Sequence, residues 1–415
     1  MNNRSPKRIA FIVDTFPSVS ETFILNQIIY LRNRNYHVGV FAKNKGQFLH
    51  EDLIESSLID EIRYYQNIPK KTYYRLKKII QFIINNYSLL HFFNLFKCFN
   101  FFKIKKSSIS LYYHTLYTCI YELYDYDIIH AQFGHNGALI SQFKSLGIFH
   151  DIPLITTFHG YDMILGNIKF YNKFYKSLFK YGDLFTVNSK YSIEILEKIK
   201  GNVERVKLLP MGVNTDYFHP SYNKNKNDFI RILFVGRLIK LKGVDNLLSI
   251  VTELLNKNIQ NFELLVVGDG PERDRMEKEI FNKKLGNTVK ILGAQSQSKL
   301  IEFYSLSDVF LFPGIMDPNT NRAETQGLVV QEAQAMKLPV IVSNVGGVKY
   351  GMKHGVTGFV IGEMNIYEYV ETIEKLMKSP NLRRNIGEKG REFVCDKFDI
   401  KVLGEKLEKL YKSVY

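Results

Sequence analysis

The stretch from Leu311 to Ser343, LFPGIMDPNTNRAETQGLVVQEAQAMKLPVIVS, leaves the chain few folds to choose from. A short apolar run over 309–313, a polar loop, an apolar-periodic segment opening near Gly327 and a second apolar run over 340–343 read as strand, loop, helix and strand. Strands that are apolar on both faces and joined through a helix belong to a buried parallel sheet. Two carboxylates sit in this βαβ unit, Glu324 in the loop before the helix and Glu332 on the helix itself. The first-turn N–H groups at Gly327 and Leu328 have no intrahelical acceptors and are expected to face the same space as Glu324, where they attract phosphate. An anion cradle beside two hydroxyl-accepting carboxylates suits a nucleotide sugar.

The same alternation runs through the rest of the sequence and predicts an α/β protein with two doubly wound sheets. Strands are expected at 7–16, 37–41, 127–133, 153–158 and 183–188, with a helix over 192–199. After a polar linker, SYNKNKN at 221–227, a second series follows at 229–236, 264–268, 289–292, 309–313, 340–343 and 359–361. Helices near 244–255, 272–282, 326–336 and 366–377 separate its strands. The reading gives a first domain over 1–221, a second over 228–390, and a closing helical stretch at 391–415 expected to pack back across the first domain.

At 415 residues the chain can form two full cores. Its three cysteines, Cys98, Cys119 and Cys395, have neither disulfide nor metal spacing and are expected as free thiols in a reducing compartment. The basic, then apolar, N-terminus contains Asp14 and reads as a first strand rather than a signal peptide. No run is long enough to span a bilayer, so a cytoplasmic protein is expected.

The net charge of +15 is unevenly placed. Between Arg63 and Tyr121 there is no acidic residue. Lys70, Lys71, Arg75, Lys77 and Lys78 precede an aromatic, apolar run, and Lys103, Lys105 and Lys106 close it. Two readings are open: an insertion that meets an anionic membrane surface, or one whose apolar face packs on the sheet with its lysines solvated. No nucleic-acid-binding module is recognisable, and nucleic acid is not expected as a partner.

Further chemistry sits at strand ends. The strand over 229–236 runs into Arg237 and Lys242 just before a helix, where two cations can neutralise a diphosphate. Gly268, in Gly268-Asp269-Gly270-Pro271, lets the backbone approach a ligand. His159 closes a first-domain strand at the edge where ligands of such sheets bind. The pair Asp125 and Asp127 has the spacing of a metal-binding D-x-D, but Asp127 opens a strand. With no His/Cys cluster either, no metal is expected, and a leaving diphosphate falls to Arg237, Lys242 and helix amides.

Taken together, Gly236-Arg237…Lys242-Gly243, Gly268-Asp269-Gly270, Val289-Lys290-Ile291-Leu292-Gly293 and Glu324-Thr-Gln-Gly-Leu-Val-Val-Gln-Glu332 resemble the family 4 retaining glycosyltransferases of GT-B fold. In the first domain, FPSVSETF at 16–23, IHAQFG at 129–134 and TFHGYD at 157–162 are similar to colanic acid and amylovoran-type exopolysaccharide glycosyltransferases. The resemblance implies two Rossmann-like domains facing across a cleft. It puts Glu332 on the ribose hydroxyls, Glu324 at the donor sugar, and Arg237, Lys242 and the backbone of Gly327 and Leu328 on the diphosphate. Ile291 would lie by the base and His159 by the reacting sugar. Ser20, Glu21, Thr22, Phe133 and Asp162 fall on the acceptor side. The implied reaction moves a hexose, with retention, from a UDP- or GDP-linked donor to a lipid-linked or growing saccharide. It needs no cofactor, and it belongs to capsule, exopolysaccharide or lipopolysaccharide synthesis at the inner face of the plasma membrane. A nucleotide-sugar epimerase or a non-catalytic sugar-binding relative would share the fold. The sequence departs from the family where Gly346-Gly347-Val348 continues as Lys349-Tyr350 in place of Pro-Glu, and in the polar loop at 316–322.

Overall fold

The computed structural model describes residues 7–18, 21–46, 56–65, 68–104, 109–199, 203–220 and 229–415. Two all-parallel sheets organise them. The first has seven strands: β1 (Arg8–Phe16), β2 (His37–Lys45), β3 (Ile62–Tyr64), β4 (Ile128–Gln132), β5 (Leu154–Phe158), β6 (Leu184–Val187) and β7 (Val206–Leu208), in the order β3-β2-β1-β4-β5-β6-β7. The second has six: β8 (Ile230–Val235), β9 (Phe262–Val267), β10 (Val289–Gly293), β11 (Val309–Phe312), β12 (Val340–Ser343) and β13 (Gly358–Ile361), in the order β10-β9-β8-β11-β12-β13.

Central strands such as β4, β5, β9 and β11 are buried at every position, as their uninterrupted apolar runs require. The order of each sheet reverses once, between β1 and β4 and between β8 and β11. At such a switch point the loops leaving the carboxyl ends of the two strands diverge and open a crevice. The segments that follow β1, β4, β8 and β11 begin at Pro17, Phe133, Gly236 and Pro313.

Two strands escape the sequence pattern. β3 and β7 are three residues each, lie on the edges of the first sheet and carry only partial burial, so neither alternation nor an apolar run marks them. The insertion expected from residue 63 therefore starts only after β3. Its long apolar run forms two helices, Thr72–Asn85 and Leu89–Lys97, broken at 86–88. Ile79, Phe82 and Leu95 pack into the first core, while Ile84, Tyr87, Leu89, Phe92 and Phe96 stay more than half exposed.

The chain's end returns to its beginning. Helix Pro380–Lys397 packs on the second sheet's layer, and helix Ile400–Val414 then crosses to the first domain. The crossover is pinned by Asp399, which accepts from Lys401 N at 2.7 Å and from Thr215 Oγ1 at 2.5 Å. Leu403, Leu407 and Tyr411, one turn apart, form a stripe that joins the core containing Ile24, Ile28 and Leu31 of helix Thr22–Asn33.

Candidate active site

Both switch points feed one interdomain cavity of about 550 Å³, a size that suits a small-molecule ligand. The second domain lines it with Arg237, Lys242, Arg322 and Glu324; the first lines it with Glu21, Phe133, His159 and Tyr161. Six of the predicted site residues thus meet: Glu21, Phe133, His159, Arg237, Lys242 and Glu324.

On the second-domain wall, Lys242 Nζ forms an ion pair with Glu324, and each side chain is about one-fifth exposed or less. Glu324 also accepts from the backbone N–H groups of Gln326 and Gly327. Burial raises its pKa, but Lys242 and these amides outweigh burial and hold it below the usual carboxylate range. Helix Leu328–Ala335 begins after Gly327, and the anion its preceding turn holds is the Glu324 carboxylate itself. Arg237 is exposed at the cavity wall.

Gly268 differs from expectation. A Cβ there would lie 1.9 Å from the Gly236 carbonyl, so its missing side chain serves the close packing of two adjacent strand ends rather than an approach to ligand. Leu328, Glu332, Ile291 and Gly268 belong to the carboxyl edge of the second sheet but do not line the cavity. Glu332 accepts from the buried Tyr304 hydroxyl at 2.9 Å, and burial lifts its carboxyl to about 7 against that bond.

The first-domain wall is aromatic and strained. Phe133 sits at φ 70° and ψ 139°, a conformation nearly confined to glycine, with its ring against those of His159 and Tyr161. His159 Nε2 lies 2.8 Å from Gln132 Oε1, which can only accept, so this nitrogen carries the proton. Burial, with His130 nearby, pushes the imidazole down to about 3, and it is neutral at physiological pH. Its Nδ1 has no partner among the described residues.

Glu21 is lifted to about 7 by burial and by the neighbouring Asp14, and its Oε2 is buried without a partner among the described residues. Asp14 is paired with His135, whose pKa rises because this bond outweighs its own burial. Asp14, His135, Tyr161 and Arg322 were not selected from sequence. The one available signal was Asp14, a carboxylate that follows the apolar run of β1.

Three acceptor-side expectations fare differently. Asp162 is 3% exposed, and its carboxylate accepts from the N–H groups of Gly134, His159 and Gly160 at 2.7–3.1 Å. It shapes the loop and presents no oxygen to the cavity. Thr22 opens its helix and is exposed outside the cavity. Ser20 lies outside the described residues. Asp127 of the D-x-D pair accepts from the N–H groups of Lys7 and Arg8 and joins strand ends.

Comparison with known proteins agrees with this layout. The profile of Glycosyltransferase Family 4 matches residues 20–217, and that of Glycosyl transferases group 1 matches 215–393. WcaL of Salmonella typhimurium, a glycosyltransferase named for colanic acid biosynthesis, is 23% identical over 98% of this chain and 100% of its own. CapM of Staphylococcus aureus, a capsular polysaccharide biosynthesis glycosyltransferase, is 34% identical over 46% of this chain and 48% of its own. The fold is that of HepE from Anabaena, solved with UDP, at a TM-score of 0.73 and 16% identity over 98% of this chain and 100% of that one. Two parallel sheets, two switch points and one shared cavity are the GT-B arrangement. With a family 4 domain followed by a group 1 domain, the chain is a two-domain glycosyltransferase.

Proposed function

We propose that the cavity transfers a hexose from a nucleoside diphosphate, with retention, to a hydroxyl of a saccharide carried on a lipid or a growing polymer. The observation that carries this reading is the Lys242–Glu324 pair on the donor wall, with Arg237 beside it and His159 across the cavity. As the anomeric bond loosens, charge grows on the departing diphosphate oxygen. Arg237 and Lys242 meet that charge in place of a metal ion. The same oxygen accepts the proton of the acceptor hydroxyl, whose oxygen bonds to the anomeric carbon on the face the diphosphate leaves. His159, neutral, with Nε2 on Gln132 and Nδ1 buried, serves the wall facing the sugar by shape rather than by a positive charge.

The donor nucleotide is read as UDP or GDP. HepE, solved with UDP, supports the first. WcaL and CapM support an acceptor from surface polysaccharide synthesis. Transfer is tested by incubating the full chain with a panel of UDP- and GDP-sugars and following nucleotide release. Release that persists in both Arg237→Ala and Glu324→Ala would sink the assignment.

A second surface supports a peripheral place on an anionic bilayer. Among the described residues no helix is long and apolar enough to cross a membrane. The exposed aromatic face of the Thr72–Asn85 and Leu89–Lys97 helices instead stands on a segment without a single carboxylate. The insertion is thus read by faces: the inner face packs on the domain, and the outer, exposed face is the one proposed to meet lipid.

A further inference from the structure

Between the donor carboxylate and the helix it precedes lie Thr325 and Gln326, and neither side chain serves the second domain. Thr325 Oγ1 donates to the carbonyl of His159 at 2.8 Å and accepts from Asn188 Nδ2 at 3.1 Å. Gln326 makes a two-way bond to Met211. Its Oε1 accepts the Met211 N–H and its Nε2 donates to the Met211 carbonyl, both at 2.8 Å. Thr325 and Gln326 are 8% and 5% exposed, so each bond is shielded from water and an unmatched partner would be costly.

The fit around them is close. A Cβ on Gly160 would lie 2.6 Å from Thr325 Cγ2, and one on Gly347 would lie 1.7 Å from the Thr325 carbonyl and 2.6 Å from Ser189 Oγ. Farther out, Tyr350 donates to Glu194 of the first domain at 3.1 Å. Tyr350 is the second residue of Lys349-Tyr350, which departs from the Pro-Glu of the resembled family, so that departure falls on an interdomain contact.

We propose that Thr325 and Gln326 are positioning residues: they clasp the two domains so that the residue before them, Glu324, faces His159 across the cavity. The four residues Glu324–Gly327 then do two jobs in one turn. The amides of Gln326 and Gly327 hold the donor-wall carboxylate, and the side chains of Thr325 and Gln326 set its distance from the other wall. Closing the cleft and ordering the donor wall become one event. His159 is fixed from both sides, its carbonyl by Thr325 and its ring by Gln132. This inference rests on the reading of the cavity as the transfer site.

Thr325→Val in the full chain keeps the shape and removes the hydroxyl; Gln326→Leu removes both bonds to Met211. Each is expected to lower kcat at least tenfold, while the Kd for UDP by calorimetry and the KM for the nucleotide sugar stay within about twofold. The radius of gyration from solution scattering should grow in both. Thr325→Ser, which restores the donor oxygen, should recover most of the turnover and carries the test if the valine variant does not fold. Unchanged kcat in both variants would overturn the proposal. So would a parallel loss of kcat and UDP affinity without a change in scattering, which would place the pair in the donor site. If the wild-type chain transfers no sugar, the transferase reading fails by itself, and the scattering comparison still decides the clasp.

Discussion

The two walls of the cavity satisfy their charges in opposite ways. On the second-domain wall Glu324 is met by Lys242 and two amides and stays ionised. On the first-domain wall Glu21 has a buried oxygen without a partner among the described residues and a pKa pushed up to about 7, and strained Phe133 lines the same cavity. On the proposed reading this second-domain wall is the donor side, and its charges are matched within its own domain, as a preorganised diphosphate site has to be. On the same reading the first-domain wall is the acceptor side, and its carboxyl is left unmatched by the described residues of its own domain.

The difference is sharpest in turnover. Lys242→Ala removes the cation that both fixes Glu324 and faces the leaving diphosphate, and it should lower kcat by about 10²–10³. Glu324→Ala should cost a similar factor, and the double variant little more than either, because the pair acts as a unit. Glu21→Gln should cost about tenfold. A larger loss at Glu21 than at Lys242, measured as kcat with a saturating donor, would invert the comparison.

The domains also differ in what completes their cores. The second sheet's layer is closed by its neighbours in sequence, whereas the first needs the stripe of Leu403, Leu407 and Tyr411 brought from the chain's far end. Leu407 is 1% exposed, and Leu407→Ala should remove about 2–5 kcal/mol from the first domain's stability. Denaturant unfolding followed by a probe in each half checks this, since only the first-domain transition should move. Equal shifts in both would mean that the two domains unfold as one unit.

Each half holds one carboxyl raised to about 7 from 4.5, Glu21 in the first and Glu332 in the second. Between those values the folded chain keeps protons that the unfolded chain has released. Their stabilising contribution is therefore full below pH 4.5 and is lost as pH rises through 7. His159, lowered to about 3 from 6.5, acts in the other direction, with stability rising with pH across that window. Wild-type Tm alone would mix the two. The difference between Glu332→Gln and wild type isolates the carboxyl: the variant should gain on wild type by up to about 3 kcal/mol from pH 5 to pH 8. For the more open Glu21→Gln the gain should be smaller. A flat difference for Glu332→Gln would show that its carboxyl is not raised.

What the sequence made legible follows the same division. The donor wall is written locally: a strand end, then Arg237 and Lys242, then a helix, with Glu324 leading into another βα turn. The acceptor wall depends on partners that only the fold brings together. His135 meets Asp14 from 121 positions away, and Thr325 meets Asn188 from 137. Side-chain pattern cannot announce such pairs. Nor could it distinguish Asp162, spent on three amides, from an acceptor contact, because a Gly-Tyr-Asp turn reads alike in either role. The edge strands β3 and β7 were missed because three half-exposed residues carry no period.

The smallest expected effects lie on the insertion, where the fold separates lysines that composition treats alike. Arg75 donates to the carbonyls of Pro69 and Ser110, Lys97 to that of Gly147 and Lys103 to that of Ser145. Arg75 is committed within the insertion, and Lys97 and Lys103 tie it to the 145–147 turn of the domain, so of the two readings left open these three cations follow the packing one. Lys70, Lys71 and Lys77 carry no such bond to a backbone carbonyl among the described residues, and Lys105 and Lys106 lie outside them. A lysine near an anionic bilayer contributes about 1 kcal/mol. Charge reversal at Lys70, Lys71 or Lys77 should each weaken binding to phosphatidylglycerol vesicles several-fold, with the folded Tm unchanged. Lys103→Glu should lower Tm first. Binding that is indifferent to all three exposed lysines, but lost with the aromatic Phe92→Ser and Phe96→Ser, would leave the face apolar in its contact and remove the electrostatic part of the reading.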